Sequence, residues 1–205
     1  MADIVYWQFT ELPSEMVDIA IKDLGRYNNQ VDESVLRGDL INENIRKSKN
    51  TWISTNNWIG GWIWYYIQKV NRKNFMYDII DIDGGTIQYT EYGEGEYYHW
   101  HTDDDITRLN TKDIDPDSST NFTEQNNFVD GQYMRKLSFS LQLSDPKDYV
   151  GGELQFLGSD DSTFFAPKQK GSLVVFDSRT KHRVVKVKSG VRRSLVGWVV
   201  GPRWK

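Results

Sequence analysis

The spacing of hydrophobic and polar residues changes along the chain. In the first third, apolar residues recur at helical intervals. The segment LPSEMVDIAIKDL sets Met16, Val17, Ala20, Ile21 and Leu24 in a helical rhythm behind Ser14, a residue type that caps helix N-termini. A short strand is expected before it. A second helix is expected in NWIGGWIWYYIQKVNRKNF, entered after the Gly60-Gly61 pair, with its Trp and Tyr residues packed into the core. From about Ile79 the repeat shortens. Runs rich in Ile, Val, Tyr, Phe and Trp (MYDIIDI, GTIQYTEY, YYHWHTD, RKLSFSLQLS, GELQFLG, GSLVVFD, KHRVVKV and RRSLVGWVV) alternate with Gly, Asp and Asn clusters. Short strands with turn-like separators suggest a mainly β protein, an antiparallel barrel or jelly roll with helices on one face. The expected organisation is one domain over residues 1–205, with 1–78 mainly helical support and 79–205 the jelly-roll core. The polar, nearly strandless stretch 104–132 interrupts the alternation, and its length and position suggest a lid.

Composition narrows the chemistry. There is no cysteine, which excludes disulfides, zinc ribbons, iron–sulfur clusters and cysteine nucleophiles, so any metal site must use His, Asp and Glu. The net charge of -4 gives no electrostatic footprint for a general nucleic-acid binder, though a local basic groove is compatible with it. No run approaches the ~18 apolar residues of a membrane span. The start, MADIVYWQFT, lacks the basic and apolar regions of a signal peptide. A soluble, cytoplasmic protein without a membrane partner is expected. Oligomeric state is not encoded in any pattern found.

Candidate chemistry concentrates in YYHWHTDDD, residues 97–105, which holds two of the three histidines of the chain. Regular strand alternation would put His99, His101 and Asp103 on one face. The remaining histidine, His182, opens a later strand in FDSRTKHRVVKV. Two ligand sets follow. His101, Asp103 and His182 would form a two-histidine, one-carboxylate face suited to non-haem Fe(II), with positions left for a chelating cosubstrate and dioxygen. His99, His101 and His182 would form a hydrolytic zinc site, with Asp103 orienting an imidazole. Spacing alone leaves both open. Downstream, GVRRSLVGWVVGP places Arg192, Ser194 and Trp198 on one strand face. A guanidinium beside a hydroxyl is a carboxylate receptor. A zinc hydrolase has no need of one, whereas an Fe(II) enzyme using a keto-diacid does. Strand parity turns one of Arg192 and Arg193 inward and the other outward.

These motifs together resemble the 2-oxoglutarate- and Fe(II)-dependent dioxygenases of the prolyl 4-hydroxylase type. The family pattern YGxGxxYxxHxD is matched by YGEGEYYHWHTD, residues 92–103. The family's distal histidine, followed ten residues later by a basic residue, is matched by His182 and Arg192. GGEL (151–154) and RxSLVxW (192–198) also fit, and the likeness covers residues 80–202. The N-terminal helices resemble the family's supporting helices more loosely.

The resemblance implies a double-stranded β-helix (jelly-roll) core flanked by N-terminal α-helices. It implies His101, Asp103 and His182 as iron ligands, with His99 a pocket-lining or surface residue. It implies that Arg192 and Ser194 grip the far carboxylate of 2-oxoglutarate, with Tyr92 nearby. Gln142 stands where related hydroxylases often carry a tyrosine that bonds the same carboxylate; an amide can also donate. Arg135, Trp198 and Tyr98 are expected against the substrate. The implied reaction hydroxylates an unactivated C–H, most simply of a prolyl residue in a proline-containing peptide or protein. It consumes 2-oxoglutarate and O2, with ascorbate as an optional addition, and releases succinate and CO2. A free amino acid, another small molecule or a nucleobase are alternative substrates of the same chemistry. Nucleobase dealkylases usually carry a second arginine six residues after the first, where this chain has Trp198. A binding module that has lost iron is disfavoured because all three ligands are present.

Overall fold

The computed structural model describes residues 7–25, 32–33, 46–104 and 133–204, with side chains from residue 10 onward except at 32–33. The elements among them are β1 (Trp7–Glu11), α1 (Ser14–Leu24), β2 (Asp32–Glu33), β3 (Arg46–Lys47), β4 (Lys49–Ser54), α2 (Trp58–Val70), β5 (Asp81–Ile82), β6 (Thr86–Tyr92), β7 (Tyr97–His101), β8 (Tyr133–Gln142), β9 (Tyr149–Gly151), β10 (Leu154–Leu157), β11 (Thr163–Phe165), β12 (Ser172–Asp177), β13 (His182–Val184), β14 (Val187–Gly190) and β15 (Arg192–Pro202). The large sheet runs β1-β12-β8-β15-β6-β4-β2, with β5 added beside β15. The smaller one runs β11-β10-β13-β7-β3, and β14 and β9 form a separate ribbon. The pairings are antiparallel. This is the expected jelly roll with helices at one face.

Alternation along the central strands explains how the layers separate. Leu137, Phe139 and Leu141 of β8, Leu173 and Val175 of β12, Leu195 and Val199 of β15, and Ile87 and Tyr89 of β6 pack with the helices in one core. Their neighbours point the other way, into the roll. Val174 and Phe176 meet Leu154 and Phe156 of the small sheet in a second cluster. Ser138, Ser140 and Gln142 of β8, Gln88 and Thr90 of β6, and Ser194 of β15 are polar but buried on that same inner face. A run such as SFSLQ therefore has a helix-packed apolar side and a polar interior side. Polar residues in the middle of a covered sheet are the local signature of a site.

The helices differ in detail from the sequence expectation. Ser14 is the first helical residue of α1 rather than its cap; Pro13 precedes it, and its carbonyl accepts the N–H groups of Met16 and Val17. Val17, Ala20 and Leu24 form the buried stripe. In α2 the Gly60-Gly61 pair lies inside the helix, not before it, and Asn57 is the cap, its Oδ1 accepting Gly60 N–H at 3.1 Å. A Cβ on Gly60 would sit 2.3 Å from the Thr55 carbonyl oxygen, so glycine is what allows the helix to lie against that turn. MYDIIDI contributes only the two-residue β5. The stretch KNTWIS forms β4, a full member of the large sheet inside the region expected to be mainly helical. The proposed lid lies outside the described residues except for Asp104. Among the described residues, no helix is long and apolar enough to cross a membrane.

Candidate metal centre

β7 and β13 are neighbours in the small sheet, and His101 pairs directly with His182. The next matched pair is Val184 with Tyr98, so three residues of β7 are spanned by two of β13. This β-bulge breaks the period of two. It turns Tyr98 and His101 to the same side, where their rings stack at 3.6 Å. His99 faces away, exposed, with its ring edge-on to Tyr97 at 5.1 Å. Regular alternation of His99 with His101 and Asp103 is thus corrected, and the three histidines do not converge.

Asp103 follows β7 and is pinned by its N–H to the Ser178 carbonyl at 2.8 Å. His101 Nε2 lies 3.6 Å from Asp103 Oδ1, and His182 Nε2 lies 3.4 Å from Asp103 Oδ2. All three ligand atoms lie within 4.8 Å of one another. These separations are long for hydrogen bonds but suit one ion held at ~2 Å by each group. The tautomers fit as well. His101 Nδ1 faces the His99 carbonyl at 2.7 Å, and His182 Nδ1 faces the Thr180 carbonyl at 2.9 Å. A carbonyl only accepts, so both Nδ1 atoms carry the proton and both Nε2 lone pairs point at the shared centre. Burial, with His182 alongside, pushes His101 down to about 4, so the ring is neutral at neutral pH. Burial alone would raise the Asp103 carboxyl, but the two imidazoles, Arg135 and a hydrogen bond from Ser138 hold it below its ordinary range. Ser138 Oγ donates to Asp103 Oδ2 at 2.7 Å and is itself 3.0 Å from Ser178 Oγ. Phe176 packs edge-on against His182 at 4.7 Å.

From this centre a cleft extends between the sheets, lined by Arg46, Tyr92, Tyr98, Trp198 and Arg192 among others. Arg192 is 4% exposed on β15, opposite Tyr92 of β6, whereas Arg193 points outward and pairs with Glu91 at 2.6 Å. Ser194 Oγ is fully buried with no hydrogen-bond partner among the described residues. Arg192 Nε donates to Gln142 Oε1 at 3.1 Å. The sequence-derived residues Arg192, Ser194, Tyr92 and Gln142 are therefore together, a few side chains from the His–Asp–His group. Tyr98 and Trp198 also line the cleft. Burial raises the Tyr98 phenol to about 12, which keeps it a hydrogen donor. Arg135 stands one contact away from the cleft, behind Trp198. It lies against the Trp198 ring at 4.0 Å, is tied to Asp83 at 2.7 Å, and is not among the cleft-lining residues.

Two residues of the site carry no readable sequence signal. Arg46, from β3, is 8% exposed and enters the cleft beside Tyr98. It donates to Ser48, Asn50 and Gln88, all neutral acceptors. Tyr149, from β9, reaches Gln142 from the other side, its Oη 2.9 Å from Gln142 Nε2.

Comparison with known proteins agrees with this geometry. The sequence profile of the 2OG-Fe(II) oxygenase superfamily matches residues 87–200. A PKHD-type hydroxylase of Parvibaculum lavamentivorans is 46% identical over 63 residues, 31% of this chain; the match spans only 28% of that relative's length. A Pseudomonas putida prolyl-4-hydroxylase structure superposes with TM-score 0.66 at 20% identity, covering 97% of this chain and 94% of that one. A prolyl hydroxylase of Trichoplax adhaerens, solved with a peptide fragment of hypoxia inducible factor, gives TM-score 0.70 at 15% identity, covering 95% and 83%.

Proposed function

Since the chain belongs to the 2OG-Fe(II) oxygenase superfamily, we propose that it is a 2-oxoglutarate- and Fe(II)-dependent dioxygenase that hydroxylates an unactivated C–H, with release of succinate and CO2. His101, Asp103 and His182 hold the iron in this reading. Arg192 and Ser194, with Tyr92 and Gln142 around them, receive the distal carboxylate of the cosubstrate. The observation that carries the proposal is the convergence of two Nε2 lone pairs and one carboxylate, next to a buried arginine and a buried hydroxyl that has no partner among the described residues. Dioxygen is the oxidant, with 2-oxoglutarate giving up two of the four electrons and the substrate C–H the other two; bound iron would bring them together, and the chain supplies placement and exclusion of water. Hydrogen bonds to the His99 and Thr180 carbonyls fix the two rings, and Ser138 fixes the carboxylate. Tyr98 and Trp198 give the cleft an aromatic lining, against which a substrate's C–H would be presented.

For the substrate we propose a prolyl residue in a peptide or protein. Support comes from the aromatic residues lining the cleft, against which a pyrrolidine ring can pack, and from the names of the relatives, one of them solved with a peptide. The test is incubation of the iron-loaded protein with 2-oxoglutarate, air and proline-containing peptides. Expected are succinate formation and a peptide mass gain of one oxygen atom. Succinate with an unmodified peptide pool but an oxidised free amino acid would move the substrate assignment; no succinate with any substrate would refute the enzymatic reading.

A further inference from the structure

The turn 177–180, between β12 and β13, supports two of the three proposed metal ligands. Its Ser178 carbonyl accepts the Asp103 N–H at 2.8 Å, and its Thr180 carbonyl faces His182 Nδ1 at 2.9 Å. Ser178 Oγ lies 3.0 Å from Ser138 Oγ, which donates to Asp103 Oδ2. The turn itself is fixed by Asp177. The Asp177 carbonyl accepts the Thr180 N–H at 2.9 Å, and its Oδ1 accepts the Arg179 N–H at 2.8 Å. Three side-chain donors fill the rest of the carboxylate. Arg179 Nε is 2.9 Å from Oδ1, and Arg179 Nη2 and Tyr77 Oη are each 2.6 Å from Oδ2. Asp177 is 2% exposed and is not among the cleft-lining residues. It shares the parity of Leu173 and Val175, so its side chain points to the helix-packed face. Burial alone would raise its carboxyl, but the hydrogen bonds from Arg179 and Tyr77 hold it below its ordinary range. Burial and the Asp177 charge push the Tyr77 phenol up to about 12, so it keeps the hydrogen it donates.

Tyr77 connects this turn to the helical layer. The chain leaves α2 through a π-helical turn, Asn71–Phe75, and Met76 takes a left-handed φ of 53°. One side chain then holds both main-chain groups of Tyr77: Asn71 Oδ1 accepts its N–H at 3.0 Å, and Asn71 Nδ2 donates to its carbonyl at 2.9 Å. The Trp204 ring stands edge-on to Tyr77 at 4.7 Å, and the Arg179 guanidinium packs over the Trp204 ring at 4.5 Å. Both donor side chains of Asp177 are thereby held in place from outside the turn. We propose that Asp177 is a positioning residue for the metal centre. It sets the direction of the Ser178 and Thr180 carbonyls, and through them of Asp103 and His182, while Tyr77 ties that setting to the helices. The assignment rests on the metal-binding reading above and carries it to residues on the far side of the sheet.

The experiment is titration of the metal-free full chain with Co(II), read by its visible d–d absorption, which reports both affinity and ligand geometry. Asp177→Asn should weaken Co(II) by about ten-fold, the low end for supports of metal ligands, and shift the band. Tyr77→Phe keeps the ring and removes one of the four donors to Asp177. It should weaken Co(II) by a few-fold, and should add nothing further in the Asp177→Asn background, because Tyr77 acts through Asp177. Thr55→Val is the control. It removes a 2.8 Å hydrogen bond to the Gly85 carbonyl near the opposite end of α2, and should leave affinity and band unchanged. If Asp177→Asn does not fold, the comparison of Tyr77→Phe with Thr55→Val decides alone. Wild-type affinity and band in Asp177→Asn and Tyr77→Phe, additive losses in the double variant, or an equal loss in Thr55→Val would overturn the assignment while leaving the metal reading intact. Wild-type protein that binds no Co(II) would overturn both.

Discussion

Arg192 and Arg193 are adjacent in sequence and opposite in environment, which makes them a matched pair of perturbations. Arg192 is 4% exposed, inside the roll, with the neutral Gln142 amide on its Nε. The Arg193 side chain is 45% exposed and pairs with Glu91 at the surface. In the proposed complex Arg192 faces a desolvated carboxylate. Removing one partner of such a buried, hydrogen-bonded charge pair costs about 2–5 kcal/mol, a factor of roughly thirty to a few thousand in affinity. An exposed pair such as Arg193–Glu91 contributes about 0–1 kcal/mol, and to folding rather than to ligand binding. Titration of 2-oxoglutarate into Mn(II)-loaded Arg192→Ala and Arg193→Ala should therefore give a Kd raised by at least ~30-fold in the first and within a few-fold of wild type in the second. Thermal melts of both apo variants separate binding from unfolding. Comparable losses in the two variants, or the reverse ranking, would mean that β15 does not present Arg192 to the cosubstrate.

Ser138→Ala removes the 2.7 Å hydrogen bond to Asp103 Oδ2. Metal affinity, read by titration with Co(II), should fall by about 10–100-fold as for other supports of metal ligands; an unchanged Kd would mean that Ser178 alone can hold the carboxylate. His99→Ala should leave Co(II) affinity within a few-fold of wild type, while His101→Ala should abolish it, because only the second ring turns inward at the bulge. The metal-free protein should lose stability in acid. His101 is pushed down to about 4 in the folded state from an ordinary 6.5, so between these pH values the unfolded chain takes up a proton that the folded chain refuses. The expected loss is about 3 kcal/mol across that window, and nothing from this group above pH ~6.5. Urea denaturation of wild type and His101→Ala at pH 7 and pH 5 reads it; identical pH slopes in the two would contradict the assignment.

Several parts of the site were legible in the sequence because they depend on short-range pattern. His101-Thr102-Asp103, the distal His182 and the Arg192-x-Ser194 pair lie on or beside strands whose hydrophobic alternation is clear, and the fold brings them together. Strand alternation failed at His99 because a bulge adds one residue opposite β13, and nothing in YYHWH marks where the extra residue sits. Arg135 has partners that its motif position does not reveal. Its motif position suggested the substrate, but Asp83 and the Trp198 ring already occupy its guanidinium. Arg46 and Tyr149 were illegible because each comes from a strand of two or three residues, too short for periodicity, and its role arises from long-range pairing. The Gly60-Gly61 pair read as a helix boundary, since glycine weakens helices; the close approach to Thr55 that requires it is a tertiary fact.

The central claim is that His101, Asp103 and His182 hold one Fe(II) that 2-oxoglutarate then chelates. Its most direct test is anaerobic visible spectroscopy. Fe(II) added to the protein, followed by 2-oxoglutarate, should produce a weak charge-transfer band that persists in His99→Ala and is missing in His101→Ala. No band in the wild-type protein, or loss of the band in both variants alike, would contradict the account.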